Sequence, residues 1–286
     1  MEPARRGRTP QFDRLRISNV QIDGVPILSG PTLYGIYAIL ALIYVAHAVK
    51  TIQVNVPKLK AGVPEEDRYH WGSVAALNST YFANFGAELA VVSMLPMFFE
   101  TTFKGVRGAD GSFLMTATLA GLIAASFAFV NLFARPLGGL LSDTMKNRKR
   151  TMLIYMAGIA VGFLGMANIG AYGGLAADGT REIVPMFEGL WWLIAAIGIT
   201  IACSMFVQGA EGATFAIIPM IKKEMTGQIA GMAGAYGNVG AVCYLVLYSI
   251  VDAKTFFYTI AAGAFLSLLY CWFALKEPTD AFSTDM

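Results

Sequence analysis

Seven stretches of this chain are long, apolar and almost free of charge: about 32–54, 71–99, 113–142, 151–172, 188–220, 227–251 and 255–274. About 20 such residues in a helix cross a bilayer. In lipid the backbone must satisfy its own hydrogen bonds, and a helix does so within one segment. The chain is therefore expected to be an all-α membrane protein of about seven transmembrane helices. Composition agrees: 56% of the 286 residues are hydrophobic and 14% charged, against about a quarter charged in a soluble domain. Mean hydropathy is +0.57.

The same composition excludes several functions. A net charge of +2 gives no case for nucleic-acid binding. Cys203, Cys243 and Cys271 lie in apolar segments, spaced for neither a disulfide framework nor a metal site. His47 and His70 are the only histidines. No cluster of His, Cys or carboxylates suits an enzyme, so neither metal, cofactor nor catalytic residue is expected. The N-terminus is basic, but no apolar run of the right length follows it directly, unlike a secretory signal peptide.

Between the spans lie a polar N-terminal segment, 1–31, a charged linker, 55–70, with Pro57, Pro64 and Glu65-Glu66-Asp67-Arg68, and a tail, 276–286. A polar loop with Gly173-Gly174 and Asp178-Gly179 follows the fourth span. Trp71, Trp191, Trp192 and Trp272 sit near segment ends, as an aromatic belt requires. With the 55–70 linker cytoplasmic, the cytoplasmic loops hold 11 Lys and Arg and the opposite loops hold Lys104, Arg107, Arg181 and Lys254. Positive charge inside supports that orientation. The five arginines among the first 16 residues run against it.

Polar residues inside spans are costly and mark function or pairing. Arg135 lies in the third span, eight residues before Asp143, so about 12 Å further along the helix. It reads as a substrate-path residue or as an anchor snorkelling to the headgroups, and its depth favours the path. In the second span Tyr81, Asn84 and Glu88 share one helical face, which can line a cavity or bond neighbouring helices. In the fifth, Gln208, Glu211 and Thr214 interrupt an apolar run beside Gly209, Gly212 and Pro219. Glu88 and Glu211 are candidates for proton coupling or for a structural ion pair, Arg135 being an available cation. In the sixth, Gly227, Gly231, Gly234, Gly237 and Asn238 mark a small-residue face expected to pack closely against another helix.

The run GLLSDTMKNRKR, with Gly139, Asp143, Arg148, Lys149 and Arg150, resembles the cytoplasmic loop motif of the major facilitator superfamily. With FAFVNLFARPLGGLLSD, QGAEGATFAIIPMI and GQIAGMAGAYGNVGAV, the chain looks like the nitrate/nitrite porter family of that superfamily. The resemblance covers nearly all of 32–275 and implies helices six to twelve of a twelve-helix porter: the C-terminal six-helix bundle, 71–275, plus the preceding helix, 32–54. On that resemblance 1–31 is an inter-helix loop, and Arg135, Tyr81, Asn238 and Asn131 are substrate-binding. Nitrate is a planar anion with three acceptor oxygens, which suits the planar donor fork of arginine.

The implied function is nitrate or nitrite transport by alternating access, possible only with a complementary N-terminal half, in the plasma membrane, with protons as a candidate coupling ion. A non-transporting regulatory membrane subunit and an inert fragment stay open.

Overall fold

The computed structural model describes residues 21–22, 25–26, 30–108, 110–175 and 181–278. Most of the 1–31 segment, Asp178-Gly179 and most of the tail lie outside those residues. The chain divides into two compact units, Met1–Arg68 and Tyr69–Met286.

In the first unit, a short antiparallel pair, β1 (Gln21–Ile22) and β2 (Val25–Pro26), precedes helix α1 (Gly30–Ala61). That helix runs past the expected end at 54, through Pro57, into what the sequence suggested was linker. At 32 residues it is about 48 Å long.

The second unit is a helical bundle: α2 (Trp71–Thr102), α3 (Ala117–Phe129), α4 (Asn131–Thr144), α5 (Arg148–Ala167), α6 (Leu190–Ile221), α7 (Thr226–Tyr248) and α8 (Ala253–Ala274). Among the described residues seven spans are long and apolar enough to cross a membrane, α3 and α4 together forming one of them. The all-α membrane fold is as expected. Polar side chains start the helices: His70, Thr116, Asn147 and Asp252 each accept a hydrogen bond from a first-turn N–H of α2, α3, α5 and α8.

Two expectations need correction. The third span is not one helix: it breaks at Val130 between α3 and α4. There Ser204 Oγ donates to the Phe127 carbonyl at 2.6 Å, one of the last four carbonyls of α3, which lack a partner within the helix. The fourth span stops at Ala167, and Gly170–Leu175 is instead strand β3, paired antiparallel with β4 (Arg181–Pro185).

Close packing follows small residues, as in membranes, where helix association rests on van der Waals fit. A side chain on Gly138 would collide with the Gly209 carbonyl, and one on Gly212 with the Arg135 carbonyl, so α4 and α6 cross backbone against backbone. Gly86 and Gly240 do the same for α2 and α7. Away from these crossings, Phe98, Phe163, Phe256 and Phe257 form an aromatic core joining α2, α5 and α8.

Candidate functional site

The loop between α4 and α5 joins four helix ends. Arg148, nearly buried, pairs with Asp143 at 2.6 Å and donates to the Ala216 carbonyl of α6 at 3.0 Å. The Glu277 carboxylate accepts the backbone N–H groups of Arg148 and Lys149 at 2.8 and 2.7 Å. A carboxylate at a helix N-terminus meets its dipole favourably. Lys149 Nζ donates to the Trp272 carbonyl, in the last turn of α8, at 2.7 Å, and Arg150 N–H donates to its cap, Asn147. Arg148 and Lys149 thus act as helix clasps. Glu277, beyond the last apolar span, carried no sequence signal for this role. Gly139 is not the glycine at the α4–α6 crossing; its neighbour Gly138 is.

The charged centre lies inside the bundle, where α4 crosses α6. That glycine crossing sets Arg135 beside Glu211, and the guanidinium pairs with both Glu211 and Glu88, the latter at 3.2 Å. Glu211 is fully buried, Glu88 nearly so, and the Arg135 side chain is 35% exposed. Asn131, one turn before Arg135 on α4, donates from Nδ2 to Glu88 Oε1 at 3.2 Å. Gln208, on α6, donates from Nε2 to the same oxygen at 2.8 Å. Three helices therefore contribute to one polar knot within apolar surroundings. The interfacial-anchor alternative for Arg135 does not fit this geometry, because its head group is held by carboxylates within the bundle.

Around the knot, Tyr81 is buried and within electrostatic reach of Arg135, Glu88 and Glu211. Its ring stacks on Phe85 at 5.0 Å and meets Phe215 edge-on at 5.3 Å. The Arg135 guanidinium carbon lies 6.0 Å from the Phe85 ring centre. Five buried polar atoms here have no hydrogen-bond partner: Arg135 Nε, Asn84 Nδ2, Gln208 Oε1 and the two oxygens of Glu211, one of which meets Arg135 as an ion pair. Two of them are donors. The spare guanidinium donor, Arg135 Nε, is a group that an anion with several acceptor oxygens would satisfy.

Not every expected residue joins this site. Asn238 is exposed on α7, and its Nδ2 donates to the Gly234 carbonyl of its own helix at 2.8 Å. Gly237 does pack closely, its α-carbon facing the Tyr81 and Phe85 rings. Gly227, Gly231 and Gly234 do not: a side chain on any of them would meet nothing within 4 Å. Their helical spacing defines a face but does not supply a helix to cover it. The sequence reading did not assign Gln208 to this cluster; its position one turn before Glu211 was the available signal.

The fold and this centre define an integral membrane protein with a charged core inside a helical bundle. No protein-family model matches the chain. The chain is 41% identical over 253 residues to "Nitrate/nitrite transporter NrtP" of Nostoc punctiforme, covering 88% of this chain and 45% of that protein. It is 40% identical over 266 residues to the protein of the same name from Picosynechococcus, covering 86% of this chain and 45% of the relative. A rice protein named "High-affinity nitrate transporter 2.3" is 32% identical over 57% of this chain and 27% of its own length. The chain spans about half the length of the first two relatives, or less. Over most of its length it is similar to the nitrate/nitrite porters, as its motifs indicate.

Proposed function

We propose that this chain is the C-terminal half of a major-facilitator porter that carries nitrate or nitrite across the plasma membrane. Its spans correspond to helices six to twelve, with 71–275 as the transporting bundle and the stretch after α1, 62–70, as a cytoplasmic linker. Transport requires a complementary N-terminal half, which rocks against this one around a site between them. The names of the relatives support the substrate class.

The observation that carries the reading is the placement of Arg135. It is a permanent cation inside the bundle, partly exposed, held at Nη2 by two carboxylates, and has a spare Nε donor. Arg135 binds the anion, with Tyr81 and Asn131 flanking it and Asn238 joining from α7 in the complete porter. Anion import against a potential of 100 mV, inside negative, costs about 2.3 kcal/mol per charge. A co-transported proton removes that cost, and Glu88 and Glu211 are the acids positioned to carry it.

The test is nitrate uptake by transport-deficient cells expressing this chain alone, with a complementary half, and with that half plus Arg135→Lys. Uptake only with the partner, lost in Arg135→Lys, is the expected outcome. Uptake unaffected by Arg135→Lys refutes the assigned site. No uptake in any combination, with the protein present in the membrane, refutes the transport reading.

A further inference from the structure

Glu88 and Glu211 address the same guanidinium but are held differently. Glu88 accepts hydrogen bonds from the amides of Asn131 and Gln208 and from Arg135. Glu211 is fully buried, its partner is Arg135, and no neutral donor among the described residues reaches its oxygens. The Glu88 carboxyl group lies within hydrogen-bonding reach of it. Take Arg135 away from Glu211 and a buried charge is left without a counterion, a state that proteins avoid by neutralising the group.

We propose that Glu211 is a tethered stand-in for the substrate. It occupies Arg135 when the site is empty and takes up one proton when an anion replaces it, while Glu88 keeps its three donors as a fixed clamp. This rests on the reading of Arg135 as the anion site. With both acids ionised, the knot of Arg135, Glu88 and Glu211 has a net charge of minus one. A monovalent anion would bring it to minus two, and protonation of Glu211 restores minus one.

The exchange balances. The Glu211–Arg135 contact breaks, and the guanidinium N–H groups bond the oxygens of the anion. A proton from the water on the side of anion arrival bonds to a Glu211 oxygen. When the anion leaves on the other side, Glu211 releases the proton there and returns to Arg135.

The groups facing Glu211 are few. α2 presents Glu88 and Tyr81, and α4 presents Arg135. α5 places Tyr155 against Gly209, two residues before Glu211 on α6. α3 has no titratable side chain, and α7 has no charged residue. Lys222 and Glu224 pair with each other beyond the end of α6. Any proton linked to anion binding here is therefore assigned to the two acids, and the difference in their donors selects Glu211.

The experiment is calorimetric titration of the full chain in lipid nanodiscs with sodium nitrate, from about pH 5 to about pH 9, in buffers of different ionisation heat. The expected wild-type result is proton uptake rising toward one per nitrate, with affinity falling by up to roughly tenfold per pH unit on the alkaline limb. Glu211→Gln abolishes the uptake and the slope, and binds at alkaline pH at least as tightly as wild type. Glu88→Gln binds more weakly but keeps the uptake and slope. A Glu211→Gln variant that retains them, or a Glu88→Gln variant that alone loses them, overturns the proposal. Absence of nitrate binding by wild type, or binding unchanged in Arg135→Gln, refutes the anion site itself and this inference with it.

Discussion

Gly138 and Gly139 are adjacent glycines in one helix, and the structure predicts opposite responses to the same substitution. A Cβ on Gly138 falls on the Gly209 carbonyl, whereas one on Gly139 has its nearest contact, the Gly212 carbonyl, at 3.9 Å. Glycine to alanine inside a helix gains about 0.5–1 kcal/mol in either place. At Gly139 little opposes that gain. At Gly138 the gain is set against overpacking of about 1–3 kcal/mol, because α4 and α6 must separate. The two variants should therefore differ by about 1–3 kcal/mol, or roughly 2–12 °C in midpoint for a unit of this size. Thermal unfolding in detergent, followed by size-exclusion recovery, measures it. Gly138→Ala should also loosen the site, since the same crossing sets Arg135 beside Glu211. Equal midpoints for the two variants would refute the backbone-to-backbone crossing.

Other substitutions probe separate contacts. Ser204→Ala leaves the Phe127 carbonyl at the α3–α4 break without its side-chain donor and should cost about 1–2 kcal/mol, read as a lower midpoint in the same assay. Glu277→Gln keeps the shape of the clasp but removes the charge at the α5 N-terminus. It should cost about 1 kcal/mol, and the gap from wild type should shrink in high salt. Asn238→Ala should leave thermal stability within about 0.5 kcal/mol, because its amide is exposed and bonds only its own helix among the contacts found. The same variant should lower nitrate uptake by the assembled porter if Asn238 completes the site.

The spans were legible because apolar length in lipid leaves few alternatives to a helix. The break at Val130 was not. Neither glycine nor proline marks it, and the residue that satisfies the freed carbonyl, Ser204, lies more than seventy positions away in sequence. The end of the fourth span was misread because Ala171 and Tyr172 are apolar enough to continue a helix, and only pairing with Arg181–Pro185 makes them a strand.

At the site, single-helix spacing brought out Arg135, Glu88 and Glu211 as misfits in lipid and left their pairing open. Their meeting depends on the Gly138, Gly209 and Gly212 crossing, which is a property of two helices together. Gln208 was noticed as a polar interruption, but its bond to Glu88 depends on that packing. The glycines of α7 show the opposite limit. Helical periodicity aligned Gly227, Gly231 and Gly234 on a face, but could not say whether anything packs there.

The central claim is that the Arg135 guanidinium is the group that receives the anion. Arginine-selective modification of the membrane-embedded chain with phenylglyoxal, mapped by mass spectrometry, tests it directly. Nitrate should protect Arg135 in a saturable way, sulfate at matched ionic strength should not, and Arg107 and Arg181 should react equally with or without nitrate. Modification of Arg135 at the same rate whether or not nitrate is present would contradict the account.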